Sequence, residues 1–133
     1  MNQPPSVKTV GSVVAVAILL TAIHFTDNAI NIDDYPPASW QPEWFEFVVV
    51  GGWLLGAAIG ILGYRKYRDG DYRRAHLLLG AYSTVGFVSL GHFTTASPSD
   101  LTNFGLATVM IDVVVGLMVL GVVVWSVRRP RVP

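Results

Sequence analysis

Four long apolar stretches alternate with short polar segments along this chain. The stretches cover residues 10–30, 45–64, 75–95 and 104–127. Each supplies about 20 residues, which suffice for an α-helix to cross the hydrocarbon core of a bilayer. A soluble helix bundle would need a continuous polar face on each helix, and these stretches do not provide one. The pattern predicts that residues 1–133 form a single all-α integral membrane domain, an antiparallel four-helix transmembrane bundle.

Lys and Arg residues are confined to one side of the predicted bundle. All nine lie near the N-terminus, between the second and third stretches, or at the C-terminus. The other two connections carry acidic residues but no Lys or Arg. Cytoplasmic loops of membrane proteins carry the excess of basic residues, so the sequence predicts that both termini lie in the cytoplasm. The expected location is the plasma membrane.

Composition narrows the classes of function. Hydrophobic residues make up 52% of the chain and charged residues 14%, which is too apolar for an ordinary soluble domain. The absence of cysteine excludes disulfides, thiolate metal sites and cysteine nucleophiles. The sequence contains no Gly-x-Ser-x-Gly, phosphate-loop or His-Glu-x-x-His motif, so soluble hydrolase chemistry has no support. Because the basic clusters flank predicted spans, the expected partner is the lipid bilayer and not a nucleic acid.

Polar residues inside the apolar stretches recur at spacings of three and four, so they line one face of each helix. These stripes consist of Thr21, His24, Asn28 and Asn31 in the first stretch, Tyr82, Ser89 and His92 in the third, and Gly105, Thr108, Asp112 and Gly116 in the fourth. Facing lipid would leave these groups unpaired, so all three stripes are predicted to face the bundle interior.

The stripes together predict a polar pocket that opens toward the outer side. Ionisable residues within spans are costly and are therefore candidates for function. The predicted pocket consists of His24, Asp27, Asn28, Tyr82, Ser89, His92, Thr108 and Asp112. From the rise of an α-helix, the histidines are expected about 5–10 Å below the outer surface and Asp112 about 12–15 Å below it. The favoured function is binding, or binding linked to transport, of a cation, a proton or a small ligand, and no catalytic residue is assigned.

Two cofactors are compatible with the histidines. Imidazole and carboxylate groups bind divalent first-row metals, which makes His24, Asp27 and His92 a candidate three-ligand metal set. His24 and His92 could also be axial ligands of a haem between the first and third helices. The haem alternative is the weaker one, because the outer side has no arginine for the propionates. Each polar residue could instead serve only in hydrogen bonds that hold the helices together.

Small residues in the second stretch predict a close helix contact. Gly52, Gly56 and Gly60 lie four residues apart and form a smooth strip on one helix face. The strip is expected to pack within the protein. The alternatives are a homodimer or a larger membrane partner, to which this chain would be an accessory subunit. The strings His24-Phe25-Thr26 and His92-Phe93-Thr94 further suggest two parallel helical-hairpin repeats.

The outer connections contain aromatic and capping residues. Tyr35, Trp40 and Trp44 in the first outer loop are predicted to lie at the membrane interface, where aromatic rings with a polar edge are enriched. In the second outer loop, the run Ser97-Pro98-Ser99-Asp100 predicts an N-cap region that leads into the fourth helix.

The first outer loop also resembles a known family. Residues 33–47, DDYPPASWQPEWFEF, are followed by a span rich in small residues and by a basic inner turn. This layout resembles EXPERA-domain proteins, the family of sterol isomerases and the sigma-2 receptor group. The resemblance implies four core helices and a lipid-sized pocket, with lipid binding or isomerase activity as the function. The family places acidic residues inside the second helix, whereas this chain has none between Glu46 and the inner turn, so no catalytic residue is carried over.

Overall fold

The computed structural model describes residues 3–35, 42 and 44–129, and within them the chain forms a four-helix bundle. The helices are α1 (Val7–Ile30), α2 (Phe45–Arg68), α3 (Tyr72–Val88) and α4 (Asn103–Arg128). Short 3-10 segments cover Ile32–Asp34, Ser89–Thr94 and Pro98–Asp100. All four helices are long and apolar enough to cross a membrane, when α3 is counted with the 3-10 segment that continues it to Thr94. The prediction of an all-α bundle of four membrane-length helices is confirmed.

Each helix packs against the next one in the chain, and α4 closes the bundle against α1. The bundle therefore has two ends of different charge. We call one the acidic end, where the connections carry Asp33, Asp34 and Asp100 and the first turn of α2 carries Glu46. We call the other the basic end, which carries Lys8, the α2–α3 turn and the last residues of α4. Large apolar side chains such as Leu19 and Leu77, each 67% exposed, cover the outside of the bundle, as expected for contact with lipid.

Three helices begin at capping residues. Ser6 accepts a hydrogen bond from the Thr9 backbone N–H at 3.1 Å, and Asp71 and Thr102 cap α3 and α4 in the same way. The run Ser97–Asp100 is an N-cap region that precedes the fourth helix, as predicted, but it does not cap that helix. Ser97 and Asp100 instead close a separate 3-10 turn, and Leu101 is extended (φ −90°, ψ 149°), which interrupts the helix before Thr102 caps α4.

The glycine strip of α2 packs against α3 inside the chain. A Cβ added to Gly56 would lie 2.7 Å from Val85, and one added to Gly60 would lie 2.8 Å from Tyr82. Both glycines are buried, so neither offers a surface to another protein. Gly52 differs from them, because a Cβ there would meet no atom within 4 Å.

A second glycine contact joins α3 to α4, and the sequence analysis did not identify it. A Cβ on Gly86 would collide with the carbonyl oxygen of Asp112 and would lie 2.9 Å from the Gly116 Cα. A Cβ on Gly116 would lie 2.8 Å from the Ser83 carbonyl oxygen. The two backbones therefore touch directly, and this close crossing brings Asp112 next to the end of α3.

Candidate functional site

The polar stripes of α1, α3 and α4 converge inside the acidic half of the bundle. The buried members are Thr21, His24, Asn28, Tyr82, Ser89, Thr108 and Asp112. His92 and Asp27 are half-buried, and Asn31 is exposed at the end of α1. Seven of the eight residues predicted for the pocket thus have their side chains within one connected polar region, and Asp27 lies at its edge, as described below.

His24 is fixed by a hydrogen bond to α4. Its Nδ1 lies 3.0 Å from the Thr108 Oγ1, and the Thr108 hydroxyl donates its proton to the Gly105 carbonyl oxygen at 2.9 Å. Because the hydroxyl has one proton, Thr108 accepts from His24, and the imidazole carries its proton on Nδ1. The other ring nitrogen, Nε2, faces Asp112, with 3.9 Å between Nε2 and Oδ2.

Asp112 is completely buried and is held by the end of α3. The Ser89 hydroxyl donates to the Asp112 Oδ2 at 2.6 Å. Among the described residues, the Asp112 Oδ1, the His24 Nε2 and the Tyr82 hydroxyl have no hydrogen-bond partner. Buried polar atoms in membrane proteins are normally paired, so these three atoms are exceptions to that rule.

Tyr35 closes this region from the acidic end. Its hydroxyl donates to the Asp27 Oδ2 at 2.6 Å, and its ring lies 4.7 Å from the His92 ring, centroid to centroid. Asn31 donates to the other Asp27 oxygen at 2.7 Å, so the carboxylate is fully engaged at the rim. Burial raises the pKa of Tyr35 above its ordinary value, and the hydrogen bond to Asp27 and the charge of that carboxylate raise it further.

Tyr35 is only 5% exposed, so its ring packs inside the bundle, and its depth at the membrane interface stays a prediction. Its hydroxyl finds a carboxylate partner eight residues earlier in the chain, which draws the ring inward. Trp44 is 60% exposed at the start of α2, as expected for an interfacial residue. Trp40 lies outside the described residues.

The two histidines are neighbours, but each already has a partner. The Asn28 amide nitrogen donates to the His92 Nε2 at 3.0 Å. The rings of His24 and His92 meet edge to face, with centroids 5.6 Å apart. Direct ring contact leaves no slot for a porphyrin between them, and the engaged nitrogens do not converge on one point.

The predicted metal set is only partly assembled. His24 and His92 lie together, whereas both oxygens of Asp27 are bound to Tyr35 and Asn31. Within the part of the chain that the structure describes, no group of three or more His, Cys, Asp or Glu residues is arranged to hold a metal ion. The geometry of the described residues thus supports neither the predicted metal site nor the predicted haem site.

A cavity of about 690 Å³ lies beside the polar region, between α1, α2 and the end of α3. Four predicted pocket residues line it: His24, Asn28, Ser89 and His92. An apolar wall is formed by Phe45, Val48, Val49 and Gly52 of α2 with Val85 and Val88 of α3, and Phe25 and Ile32 add apolar lining on the α1 side. Asp33 and Glu46 lie at its acidic-end mouth, whereas Asp27, Tyr82, Thr108 and Asp112 are not among the lining residues.

The sequence analysis missed the apolar wall of the cavity. It selected polar residues within spans, and α2 offers none between Glu46 and its basic end. Gly52 was assigned to helix packing, but it lines the cavity and lies apart from α3. The open space at the Gly52 Cβ position depends on how α2 and α3 are placed relative to each other, which the spacing of glycines within α2 does not specify.

Comparison of the chain with protein-family models, with curated proteins and with solved structures finds no match in any of the three. The resemblance of residues 33–47 to EXPERA-domain proteins therefore stays a prediction. Evidence on function comes from the geometry of the cavity and of the polar groups around it.

Proposed function

We propose that this protein binds a small amphiphile in the cavity at its acidic end. The observation that carries the proposal is a space of about 690 Å³ between helices of membrane length, lined by both apolar and polar side chains. Small-molecule sites usually have volumes of about 300–1,000 Å³ and combine apolar lining with a few polar groups. Such a cavity suits a ligand with an apolar body and a single polar group.

The apolar wall is formed by α2 and α3, and it includes Gly52, a position that carries no side chain. Gly52 leaves open the space that a larger residue would fill, because no atom lies within 4 Å of its Cβ position. Val48, Val49 and Val85 present branched hydrocarbon surfaces to the same space. The body of the ligand would lie against this wall, where it excludes lipid or water from the cavity.

The polar wall would orient the head of the ligand. His24, Asn28, Ser89 and His92 line this side, and several of their groups are already fixed by hydrogen bonds to one another or to α4. Groups held in this way present a defined set of donors and acceptors at low entropic cost. The head would therefore bind in one orientation, at the acidic-end side of the cavity.

Charge selects the chemistry of the head. Asp33 and Glu46 line the cavity, and none of its lining residues is Lys or Arg. An anionic head would meet like charge at the mouth, whereas an ammonium group would be attracted. We therefore assign a cationic amphiphile, a primary amine with an apolar body, as the preferred ligand class, with uncharged alcohols weaker and carboxylates weakest.

The positive-inside rule gives the orientation that the proposal uses. With Lys8, the α2–α3 turn and the C-terminal arginines in the cytoplasm, the cavity would open toward the outer leaflet of the plasma membrane. The lipid-sized pocket implied by the EXPERA resemblance supports the same class of ligand. The accessory-subunit alternative loses its main surface, because Gly56 and Gly60 are buried against α3.

Two neighbouring glycines provide a matched test. Gly52→Leu would place its side chain in the cavity, and Gly51→Leu, at the next position of the same helix, would not, because Gly51 does not line the cavity. Neither position has an atom within 4 Å of its Cβ, so both variants are expected to fold. Binding of radiolabelled dodecylamine to protein in lipid nanodiscs, above that of empty nanodiscs, measures the effect.

The expected result is saturable binding by the natural protein and by Gly51→Leu, with a loss of at least about tenfold in affinity for Gly52→Leu, or about 1.4 kcal/mol. Dodecanol should bind more weakly than the amine, and dodecanoate more weakly still. Equal binding by all three proteins would show that the amphiphile binds outside the cavity, and would end the proposal. A preference for dodecanoate would overturn the assignment of charge.

A further inference from the structure

His24 and Asp112 form an isolated ionisable pair beneath the cavity. His24 is 1% exposed and Asp112 is 0% exposed, and the His24 Nε2 lies 3.9 Å from the Asp112 Oδ2. The described Lys and Arg residues lie at the basic end, away from this pair. Any charge on one member must therefore be balanced by the other or by an ion that enters.

The groups around the pair do not supply a counter-charge. On α1, the Asp27 carboxylate is directed to Tyr35 and Asn31 at the rim. The end of α3 offers neutral donors and acceptors, the Ser89 hydroxyl and the His92 ring, and α3 itself carries Tyr82. From α2, the Trp53 Nε1 donates to Thr21 at 3.1 Å, one helical turn from His24. The pair thus has to reach neutrality by itself.

The hydrogen bonds of His24 and Asp112 show that a proton is needed between the two side chains. His24 uses its Nδ1 proton on Thr108, so its Nε2 presents a lone pair. Asp112 accepts from Ser89 through Oδ2, and its Oδ1 has no partner in the described chain. The His24 Nε2 lone pair and the Asp112 Oδ2 lie 3.9 Å apart in a buried site to which the described residues bring no cation, and this arrangement requires a proton on one of the two groups.

We propose that His24 and Asp112 constitute a proton-binding site that holds one proton between them, on the carboxyl or on the imidazole. Either arrangement makes the pair neutral as a whole. Removal of the proton would leave a buried carboxylate without a cation, and a second proton would leave a buried imidazolium without an anion, and both states carry a large desolvation cost. The structure thus favours single occupancy over a wide range of pH.

The cavity provides the route by which this proton exchanges. His24 and Ser89 both line the cavity, and Ser89 also donates to Asp112, so one hydroxyl connects the cavity surface to the carboxyl. The pair is accessible from the acidic end through these two residues. The pair shares His24 and Ser89 with the polar wall of the amphiphile cavity, but its proton balance does not depend on a bound amphiphile.

Counting the proton on the full-length protein in nanodiscs tests the proposal. Infrared spectroscopy detects the carbonyl stretch of a protonated carboxyl group, and nitrogen-15 NMR distinguishes neutral imidazole from imidazolium. Asp112→Asn assigns the carboxyl signal, and His24→Gln and His92→Gln assign the histidine signals. Asp100→Asn, which changes an exposed acid in the α3–α4 connection, is the matched control.

Near neutral pH, the expected result is one protonated member: a carboxylic acid with neutral His24, or a carboxylate with His24 imidazolium. A carboxylate with neutral His24 would overturn the proposal, and so would a carboxylic acid with imidazolium. If Asp112→Asn does not fold, Ser89→Ala provides the assignment, since loss of the bond to Oδ2 must shift the Asp112 band while the Asp100 signal stays unchanged.

Access is tested with the two glycine variants in the same samples. Gly52→Leu fills the cavity, so exchange of the shared proton with deuterium oxide should slow at least severalfold, while Gly51→Leu should exchange like the natural protein. Equal exchange in the three proteins would show that the proton reaches solvent by another route and would overturn the assignment of the cavity as its path.

Discussion

The two ends of the bundle use similar residues but differ in how completely those residues are paired. At the basic end, the Tyr67 hydroxyl donates to the Pro5 carbonyl oxygen at 2.7 Å, and Ser126 links it to His76, 2.8 Å away. The cavity there is about 260 Å³. At the acidic end, the cavity is about 690 Å³, and the His24 Nε2 and the Asp112 Oδ1 have no hydrogen-bond partner in the described chain.

This difference supports the proposal that the acidic end is the functional one and that the basic end is structural. Both ends contain a histidine, tyrosines and a hydroxyl residue, so composition does not distinguish them. At the basic end, the polar groups satisfy each other and hold the helix ends together, which accounts for them without a ligand. At the acidic end, unpaired groups and open space carry a cost in stability that packing does not offset, and such a cost is typical of binding sites.

The largest effect is expected at the junction between the two ends, where α3 crosses α4. Gly86→Ala would drive a methyl group into the Asp112 carbonyl oxygen and the Gly116 backbone. Backbone atoms cannot move aside as side chains do, so a loss of about 3 kcal/mol in the free energy of unfolding is expected. Thermal denaturation in nanodiscs measures it. Gly80→Ala, on the same helix with nothing within 4 Å, should lose nothing, and equal behaviour of the two variants would contradict the tight crossing.

The core of the basic end should be the next most sensitive region. Leu79 is 1% exposed and packs against Gly63. Leu79→Ala should lower the free energy of unfolding by about 2 kcal/mol. A helix separated from the bundle stays in apolar lipid, so the substitution loses only the packing contacts of the side chain and adds the cost of the cavity that it leaves. Dodecylamine affinity per folded molecule should stay unchanged. Leu77→Ala, which trims a side chain that is 67% exposed, is the control and should be neutral.

A single substitution made at each end compares them directly. Tyr67→Phe and Tyr35→Phe each remove one buried hydroxyl, with hydrogen bonds of 2.7 Å to Pro5 and 2.6 Å to Asp27. Each should cost about 1 kcal/mol in stability. Only Tyr35→Phe should also change dodecylamine binding, because Tyr35 lines the cavity and holds the rim. A change of binding in Tyr67→Phe would show that the two ends are coupled, against the division of roles proposed here.

The sequence predicted the fold and most of the buried polar residues for one physical reason. Membrane helices must be apolar outside, so period and charge segregation reveal the spans, and interruptions such as His24 and Asp112 must face inward. The same reasoning could not predict the cavity. It depends on where α2 and α3 separate, and its apolar wall looks the same in sequence as a lipid-facing surface.

Tyr35 illustrates the same limit at the level of one residue. Its position in a polar loop beside aromatic residues is typical of the membrane interface, and the structure places it inside. The decisive contact, with Asp27, joins a helix to a loop through a 3-10 turn whose geometry a periodic pattern does not specify. Likewise, the Gly86–Gly116 contact depends on the relative rotation of two helices, which spacing within one helix cannot provide.

The smallest expected effect concerns pH and isolates Tyr35 at the acidic end. Its pKa is raised by burial and by the bond to Asp27, so the unfolded chain loses the tyrosine proton first as pH rises. The stabilisation from Tyr35 is therefore fully present below about pH 10 and is lost as pH rises further. The stability advantage of the natural protein over Tyr35→Phe should narrow between about pH 9 and about pH 11, as measured by thermal midpoints. Tyr64→Phe, which alters a ring packed over Gly11 at the basic end, is the parallel control. A gap that stays constant over this range would mean that the Tyr35 hydroxyl is exposed in solution and that the rim of the cavity is open.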